Sequence, residues 1–165
     1  VWLRNQPQSK VRLLEGGESI LIDPDVLLEV KQAQFSGDGS NNDSVVLYLR
    51  FGQTELWLTG DMEKEAEATL KVGNDFSTTE TLLKVAHHGG ATSTSERLLS
   101  RTSPEIALIS AGRSNRYGHP SPEVVERLKL VGCEVYVTAW QGAIACKSNG
   151  QEWEIRTCRP SSSIK

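Results

Sequence analysis

The sequence predicts an α/β domain in which β-sheets are covered by helices on an outer face. Strand-like segments come first in the chain, and helix and strand alternate from Asp61 onward. The chain has 165 residues, of which 38% are hydrophobic and 24% charged, so it can bury one core and lacks a disordered composition. Because no internal repeat or break divides it, we expect a single domain over 1–158 and a flexible tail over 159–165.

The early strands are predicted from short apolar runs that end in turn residues. These runs cover residues 11–15, 19–22, 45–49 and 56–58. The last two flank Gly52-Gln53, a pattern typical of a β-hairpin. A polar, glycine-containing segment over 36–42 predicts a loop before this hairpin.

The later elements are predicted from capping residues and apolar periodicity. A helix with an acidic first turn is expected over 62–72. Ser93-Thr94-Ser95-Glu96 has the spacing of a capping box for a second helix, with Ser93 as its cap. Ser121-Pro122 places a cap and a first-turn proline at the start of a third helix, which stops at Gly132. Further strands are predicted at 81–86, 106–109, 134–138 and 142–146.

Charge and cysteine content exclude some classes of protein. The formal net charge of −3 argues against a broad basic surface for nucleic acid, so an activity on DNA would need its own cations, most simply metal ions. Cys133, Cys146 and Cys158 are odd in number and form no CxxC pair, which predicts neither a disulfide framework nor a thiolate zinc site. No apolar run approaches the roughly 20 residues that span a bilayer. The chain begins at Val1 without a Met, and we expect a piece of a longer protein.

Candidate functional residues follow apolar strands, where a buried strand can hold a side chain at a sheet edge. Asp61 in Thr59-Gly60-Asp61 could bridge two cations, or it could cap the helix that follows. His87 and His88 are expected at a strand end, pointing to opposite sides, so that one of them at most is a ligand of a given site. The alternative is a pair of surface histidines, but these are two of only three histidines in the chain.

A third candidate loop places His119 just before a well-capped helix. His119 and the free amides at the start of that helix could face a common point and bind an anion, or His119 could be a loop residue with no role. Substrate contacts are expected of Asn42, Ser44, Ser93 and Tyr117, although the first two are most simply part of a turn and Ser93 is most simply a cap. No GxGxxG, P-loop or GxSxG motif is present.

Four motifs occur in the order found in one known family. They are Asn42-Asp43-Ser44-Val45-Val46-Leu47, Leu58-Thr59-Gly60-Asp61, Leu83-Lys84-Val85-Ala86-His87-His88-Gly89 and Tyr117-Gly118-His119-Pro120. Together they resemble the C-terminal, metallo-β-lactamase-fold domain of ComEC, the competence protein that forms the DNA-uptake channel of transformable bacteria. The resemblance covers about residues 11–157. It implies an αββα sandwich with a two-metal hydrolytic site at one edge, of which this chain holds the second half and the closing strands.

The resemblance also implies a function and a set of partners. The family domain is thought to degrade the DNA strand that is not taken up, using zinc or manganese. Asp61 would be the bridging metal ligand and His87 a second ligand, with His88 and His119 as catalytic or substrate-facing groups; sequence alone does not separate these three histidines. The partners would be DNA, the upstream half of the domain and a membrane channel, with the domain on the outer face of a bacterial cell membrane.

This chain departs from the family pattern in one respect. The family's principal His-x-Asp-x-Asp-His cluster is absent, because all three histidines lie at or after His87. We therefore expect weak or absent metal binding and no activity from the chain alone, since two ligands hold zinc less firmly than three or four. The alternatives are a small-molecule phosphodiesterase or esterase of the same fold, and a metal-free binding or structural module.

Overall fold

The computed structural model describes residues 14–32, 37, 39–73 and 80–160, which form an α/β arrangement as predicted. Within these residues the strands are β1 (Ser19–Asp23), β2 (Val26–Gln32), β3 (Val45–Phe51), β4 (Thr54–Leu58), β5 (Glu80–Lys84), β6 (Ile106–Ile109), β7 (Glu134–Val137), β8 (Ile144–Ser148) and β9 (Trp153–Thr157). The helices are α1 (Lys64–Thr69), α2 (Glu96–Thr102), α3 (Pro122–Leu130) and α4 (Thr138–Gln141). Short 3-10 turns cover Asn41–Asp43 and Ala86–Gly89.

Seven strands form one mixed sheet in the order of the sequence, β1 to β7. The first four strands pair antiparallel, whereas β4, β5, β6 and β7 run parallel to one another. The carboxyl ends of the parallel strands therefore meet at one edge of the sheet. Loops that follow β4, β5 and β6 are brought together there, although they are far apart in sequence.

The helices cover one face of this sheet. Trp57, Leu83 and Ala107 lie in register on neighbouring strands and share a face. They belong to one buried cluster with residues of α1, α2 and α3, including Ala66, Leu98, Leu99, Val124 and Leu128. Connections between neighbouring parallel strands are as a rule right-handed, which puts successive connecting helices on the same side of a sheet, and α1, α2 and α3 accordingly share one core.

The remaining strands, β8 and β9, form a separate antiparallel hairpin that contacts the other end of the sheet. The backbone N–H of Trp153 donates to Oε2 of Glu80 at 2.6 Å, and its indole N–H donates to the carbonyl of Glu80 at 3.1 Å. The N–H of Gln53 donates to the carbonyl of Gly150 at 2.7 Å. The hairpin thus sits where β4 and β5 begin, away from the edge at which they end.

The structure confirms the predicted α/β class, and the sandwich of the metallo-β-lactamase type stays a prediction. The hairpin of β3 and β4, the strand at 106–109 and the capped third helix are confirmed. The predicted first helix is shorter, from Lys64 to Thr69. Residues 11–13 and 161–165 lie outside the described residues, so the strand predicted at 11–15 is covered only in part, and the tail likewise. Where the strand is covered, residues 14 and 15 are not in one.

The prediction that Ser93 caps the second helix is wrong. Helix α2 begins at Glu96, and its cap is Ser95, whose hydroxyl oxygen accepts the N–H of Leu98 at 3.3 Å. Ser93 lies two residues earlier and is buried. Its hydroxyl can donate to the carbonyls of Ala86 and Gly90, at 3.0 and 2.9 Å, so it holds the preceding turn instead.

None of the helices in the described ranges is long and apolar enough to cross a bilayer.

Candidate functional site

The three loops that carry the candidate residues meet at the carboxyl edge of the parallel strands. Asp61 follows β4, His87 and His88 follow β5, and His119 lies between β6 and α3. The rings of His87 and His119 are 5.6 Å apart between centroids, and Nε2 of His88 lies 3.7 Å from Oδ1 of Asp61. The structure thus brings Asp61, both histidines of the turn and His119 together at this edge.

Asp61 does not cap the following helix. Helix α1 begins three residues later, with Glu63 at the cap position, so the simpler interpretation of Asp61 is wrong. The loop that carries Asp61 is held by an earlier segment of the chain, because the N–H of Asp61 donates to the hydroxyl of Ser44 at 3.0 Å. The carboxylate is about half exposed and is turned toward His88.

The prediction that the two histidines point to opposite sides at the end of a strand is wrong. Strand β5 ends at Lys84, and His87 and His88 lie in the 3-10 turn with φ of 48° and 55°. This left-handed backbone is unfavourable for residues with a Cβ and is found where surrounding contacts hold it. The N–H of His87 donates to the carbonyl of Gly60 at 3.1 Å, and its carbonyl accepts the N–H of Gly90 at 2.8 Å. Both rings consequently face the acidic loop after β4.

The contacts of His88 fix which of its nitrogens carries the proton. Nδ1 is 2.7 Å from the carbonyl oxygen of Ser110, which can only accept, so Nδ1–H is the donor. In the neutral ring, Nε2 then has a lone pair directed toward the carboxylate of Asp61. Two acceptors face each other there, an arrangement that a proton or a metal cation between them stabilises.

His87 has a different environment. Its Nδ1 lies 3.2 Å from Oε1 of Glu63, a close but poorly aligned contact, and it is sealed from solvent without an aligned hydrogen bond. Its Nε2 lies 3.4 Å from the side-chain nitrogen of Asn41. His87 and His88 thus contact different acidic residues, Glu63 and Asp61, on the same loop.

His119 is positioned by Asn115. The N–H of His119 donates to Oδ1 of Asn115 at 2.8 Å, and the Asn115 amide donates to the His119 carbonyl at 2.6 Å. Burial lowers the pKa of His119, and the neighbouring rings of His87 and His88 lower it further. The lowered pKa favours the neutral ring, which can accept a proton.

Gly89 and Gly90 allow the loop that carries His119 to approach the turn that carries His87 and His88. Gly89 has φ of +81°, and a Cβ there would come within 2.8 Å of Cβ of Pro120. A Cβ on Gly90 would lie 3.2 Å from Cε1 of His119. The glycines bring two parts of the chain together, a packing role that was not expected from the sequence.

The residues predicted to contact substrate fall into two groups. Asn42 and Ser44 support the acidic loop, because the Asn42 side-chain oxygen accepts the N–H of Glu63 at 3.0 Å and Ser44 contacts Asp61 as described. Ser93 is buried beneath the histidine turn. Tyr117, in contrast, is 66% exposed and stacks on the ring of His119 with centroids 5.9 Å apart. Of the predicted set, Tyr117 is placed where a substrate could reach it, and the role itself stays a prediction.

Nε2 of His88 and Oδ1 of Asp61 are close enough together to bind one cation. Bonds from zinc to histidine nitrogen and carboxylate oxygen are each about 2.0–2.2 Å, so one ion can touch two atoms that are 3.7 Å apart. Within the described part of the chain, no group of three or more His, Cys, Asp or Glu side chains could hold a metal. Asp61 and His88 therefore fit as a partial ligand pair.

Sequence reasoning missed four residues of this site: Asn41, Glu63, Lys84 and Ser110. Lys84 is the last residue of β5, and its ammonium donates to the carbonyl of Val85 at 2.9 Å. Burial lowers the pKa of Lys84, and the carboxylate of Asp61 opposes this shift. The position of Lys84 beside the histidine pair was visible in the sequence, whereas the other three depend on contacts between distant segments.

The sequence of the chain is similar to that of several known proteins. No family model matches the chain. It is 37% identical over 127 residues to ComE operon protein 3 of Bacillus subtilis, 36% over 122 residues to Recombination protein 2 of Haemophilus influenzae, and 35% over 106 residues to Competence protein ComA of Neisseria gonorrhoeae. These matches cover 72%, 72% and 63% of this chain, but only 16%, 15% and 15% of the relatives.

The fold and the site define an α/β chain with acidic and histidine side chains gathered at the edge of a mixed sheet. The relatives place this chain among the competence proteins of the ComEC family, which confirms the resemblance given by the four motifs. The chain corresponds to a short part of these longer proteins, one of which is named for competence.

Proposed function

We propose that the chain forms part of a metal-dependent nuclease domain, which degrades one strand of DNA during uptake by a longer competence protein. The observation that carries this proposal is the approach of Nε2 of His88 to Oδ1 of Asp61 at 3.7 Å. Since Ser110 holds the proton on the other ring nitrogen, both facing atoms are acceptors. A divalent cation is the partner that suits such a pair in a hydrolytic site.

Asp61 and His88 would hold the cation, zinc or manganese, from one side. The remaining ligands would come from upstream sequence, and His87 would be a further ligand or would orient substrate. A divalent cation bound there supplies a Lewis acid and an activated water for attack on phosphorus.

The other residues would handle phosphate and protons. His119, whose lowered pKa favours the neutral ring, would accept a proton from the attacking water or, once protonated, donate one to the leaving oxygen. Tyr117 lies beside it on the exposed side and would contact the nucleotide. Because the chain carries a net charge of −3, local positive charge at the site would have to come from the cation and Lys84 rather than from a basic surface.

The experiment compares cleavage by the longer protein, in which this chain follows its upstream region, with and without a chelator. Release of nucleotides from a labelled DNA duplex is measured in the presence of manganese or zinc. Asp61→Ala and His88→Gln should each reduce the rate by about 100-fold or more, since a lost cation contact removes several kcal/mol of transition-state stabilisation. Asp25→Ala removes an exposed acidic residue in the turn between β1 and β2 and is the matched control.

Two outcomes would overturn the proposal in favour of the alternatives. Cleavage of small phosphodiesters or esters but not of DNA would indicate another hydrolase of this class. Metal-independent DNA binding without any cleavage would indicate a binding module. Cleavage by Asp61→Ala at the parental rate would remove Asp61 from the site.

We further propose that the domain lies on the outer face of the cell membrane, next to the channel of the longer protein. The support is the similarity to Competence protein ComA of Neisseria gonorrhoeae, since competence involves DNA that arrives from outside the cell. Protease accessibility of an epitope placed after residue 160 in intact spheroplasts tests this orientation. Protection of the epitope would contradict it.

A further inference from the structure

The two ring nitrogens of His87 lie in unlike surroundings. Nδ1 is sealed from solvent and lies 3.2 Å from Oε1 of Glu63, without an aligned hydrogen bond. Nε2 is on the other side of the ring, 3.4 Å from the amide nitrogen of Asn41, an exposed residue. One nitrogen therefore faces an acceptor, and the other faces a donor.

A neutral imidazole has one N–H donor and one lone pair, and these surroundings favour one tautomer. A proton on Nδ1 lies beside the carboxylate, with 3.2 Å between Nδ1 and Oε1, and leaves the Nε2 lone pair to accept from Asn41. The opposite tautomer would place a buried lone pair against a carboxylate and an N–H against an amide N–H. An unmatched polar contact that is shielded from water is unfavourable, so the first tautomer is the more stable one.

Glu63 is itself held in place on two sides. Its Oε1 accepts the hydroxyl proton of Thr92 at 2.8 Å, and its backbone N–H donates to the side chain of Asn42 at 3.0 Å. The carboxylate thus has a fixed position toward His87, although the cap position that it occupies on α1 makes no side-chain capping bond.

We propose that Glu63 is a positioning residue that keeps His87 in the Nδ1–H tautomer, with the Nε2 lone pair on the side of the ring that faces the exposed Asn41. Such carboxylate–histidine pairs fix the orientation and basicity of a histidine that must bind a cation or a proton. The tautomer follows from the contacts alone, whereas its use in catalysis rests on the nuclease proposed above.

Nitrogen-15 NMR of the histidine rings in this chain tests the tautomer directly. The chain has three histidines, so single His→Gln variants assign each ring. The spectra are recorded at about pH 8.5, roughly two units above the reference histidine pKa, where the long-range nitrogen couplings of a neutral ring report which nitrogen is protonated. His87 should be mainly Nδ1–H, and Glu63→Ala should shift it toward Nε2–H, the form that free histidine favours in water.

Matched variants separate positioning from general loss of structure. Glu65→Ala removes an exposed carboxylate from the same helix and should leave the His87 couplings unchanged. Glu63→Gln retains a side-chain oxygen that can accept Nδ1–H and should restore the tautomer. A parental His87 that is mainly Nε2–H, or a folded Glu63→Ala with unchanged couplings, overturns the proposal; the parental spectrum decides it even where Glu63→Ala does not fold.

The tautomer and the nuclease can fail separately. The NMR measurement needs neither metal nor DNA, so a wrong tautomer leaves the cleavage experiment unaffected. In the longer protein, Glu63→Ala should lower the cleavage rate about 10- to 100-fold, the usual effect of losing a carboxylate partner of a site histidine, and Glu63→Gln should lower it less. Parental cleavage by Glu63→Ala, alongside a shifted tautomer, would remove His87 from the reaction.

Discussion

Single residues at the site act in two neighbouring pairs. His88 faces Asp61 and His87 faces Glu63, so consecutive histidines contact acidic residues that are two positions apart. The left-handed backbone at both histidines makes this pairing possible, because it turns both rings toward one loop. The conformational cost, of order 1–3 kcal/mol per residue, is offset by the surrounding hydrogen bonds.

The cysteines allow a prediction that is independent of the site. Cys133 is buried and its thiol donates to the carbonyl of Pro104, Cys146 is partly buried, and Cys158 is exposed. In the folded chain at about pH 8, iodoacetamide should label Cys158 first, Cys146 more slowly and Cys133 last, because the exposed thiolate is the nucleophile. Peptide mass spectrometry of timed samples measures the order. Equal labelling of Cys133 and Cys158 would contradict the burial.

The buried thiol of Cys133 makes the folding stability depend on pH in the alkaline range. Burial, with a further contribution from Glu105, raises the pKa of Cys133 from 9.0 to about 11. A raised pKa means that the folded state disfavours the thiolate. The contribution of Cys133 to the free energy of unfolding is therefore fully present below about pH 9 and is lost as the pH rises to about 11. Two pKa units correspond to roughly 3 kcal/mol. Urea unfolding of the parent should show this loss, and Cys133→Ala should not show this part of it.

Whether the sequence predicts a residue of the site depends on how far along the chain its contacting residue lies. Asp61 and His119 were found because each has a recognisable local context, a strand end or a capped helix. Asn41 and Ser110 contact histidines that are 46 and 22 residues away, and no local pattern reports such a contact. Glu63 was read as first-turn helix charge, since its partner in space is outside its own helix.

At the scale of secondary-structure elements, the segment 93–95 joins three helices. Glu67 of α1 is almost fully buried, and its carboxylate accepts the N–H groups of Thr94 and Ser95. Arg127 of α3 donates to the carbonyls of Ser93 and Thr94, at 3.2 and 2.6 Å. This segment directly follows the histidine turn, so the two charged side chains also hold the base of the site.

Removal of the buried carboxylate should therefore destabilise the fold strongly. Glu67→Ala leaves two backbone N–H groups in or near the core without their acceptor, at about 1–3 kcal/mol each, and should lower the free energy of unfolding by roughly 3 kcal/mol. Glu65→Ala, on the exposed side of the same helix, should change it by less than about 0.5 kcal/mol. Urea denaturation followed by circular dichroism compares the two, and similar midpoints would contradict the bridging role.

The elements differ in how well the sequence predicts them. Helix α3 was predicted at its first residues because Ser121-Pro122 is a strong local signal. Strand β2 was missed, since the run Val26–Gln32 has no clean alternation and fits helix and strand periods alike. Strand β9 alternates from Trp153 to Thr157 and follows an Asn149-Gly150 turn, so a signal for it was present.

The whole molecule separates its structural contacts from its site. The hairpin of β8 and β9 is joined to the end of the sheet where β4 and β5 begin, and the acidic and histidine loops lie where they end. The sequence predicted the α/β class from alternating elements, but the order of the strands depends on pairings between distant segments. Variants in the hairpin should consequently affect stability, and variants at the opposite edge should affect ligand binding.

The last prediction concerns zinc binding by this chain alone. Asp61 and His88 provide two donors for one ion, whereas structural zinc sites use four ligands and gain about 10–16 kcal/mol. Competition with a chromophoric chelator should therefore show an affinity far below that of a structural site. Asp61→Asn or His88→Gln should weaken it further, because each removes one of the two donors, and the exposed Asp25→Asn should not. Stoichiometric zinc that survives dialysis against a mild chelator would show that further ligands of this chain reach the ion. The pair at 3.7 Å would then be one side of a more complete site.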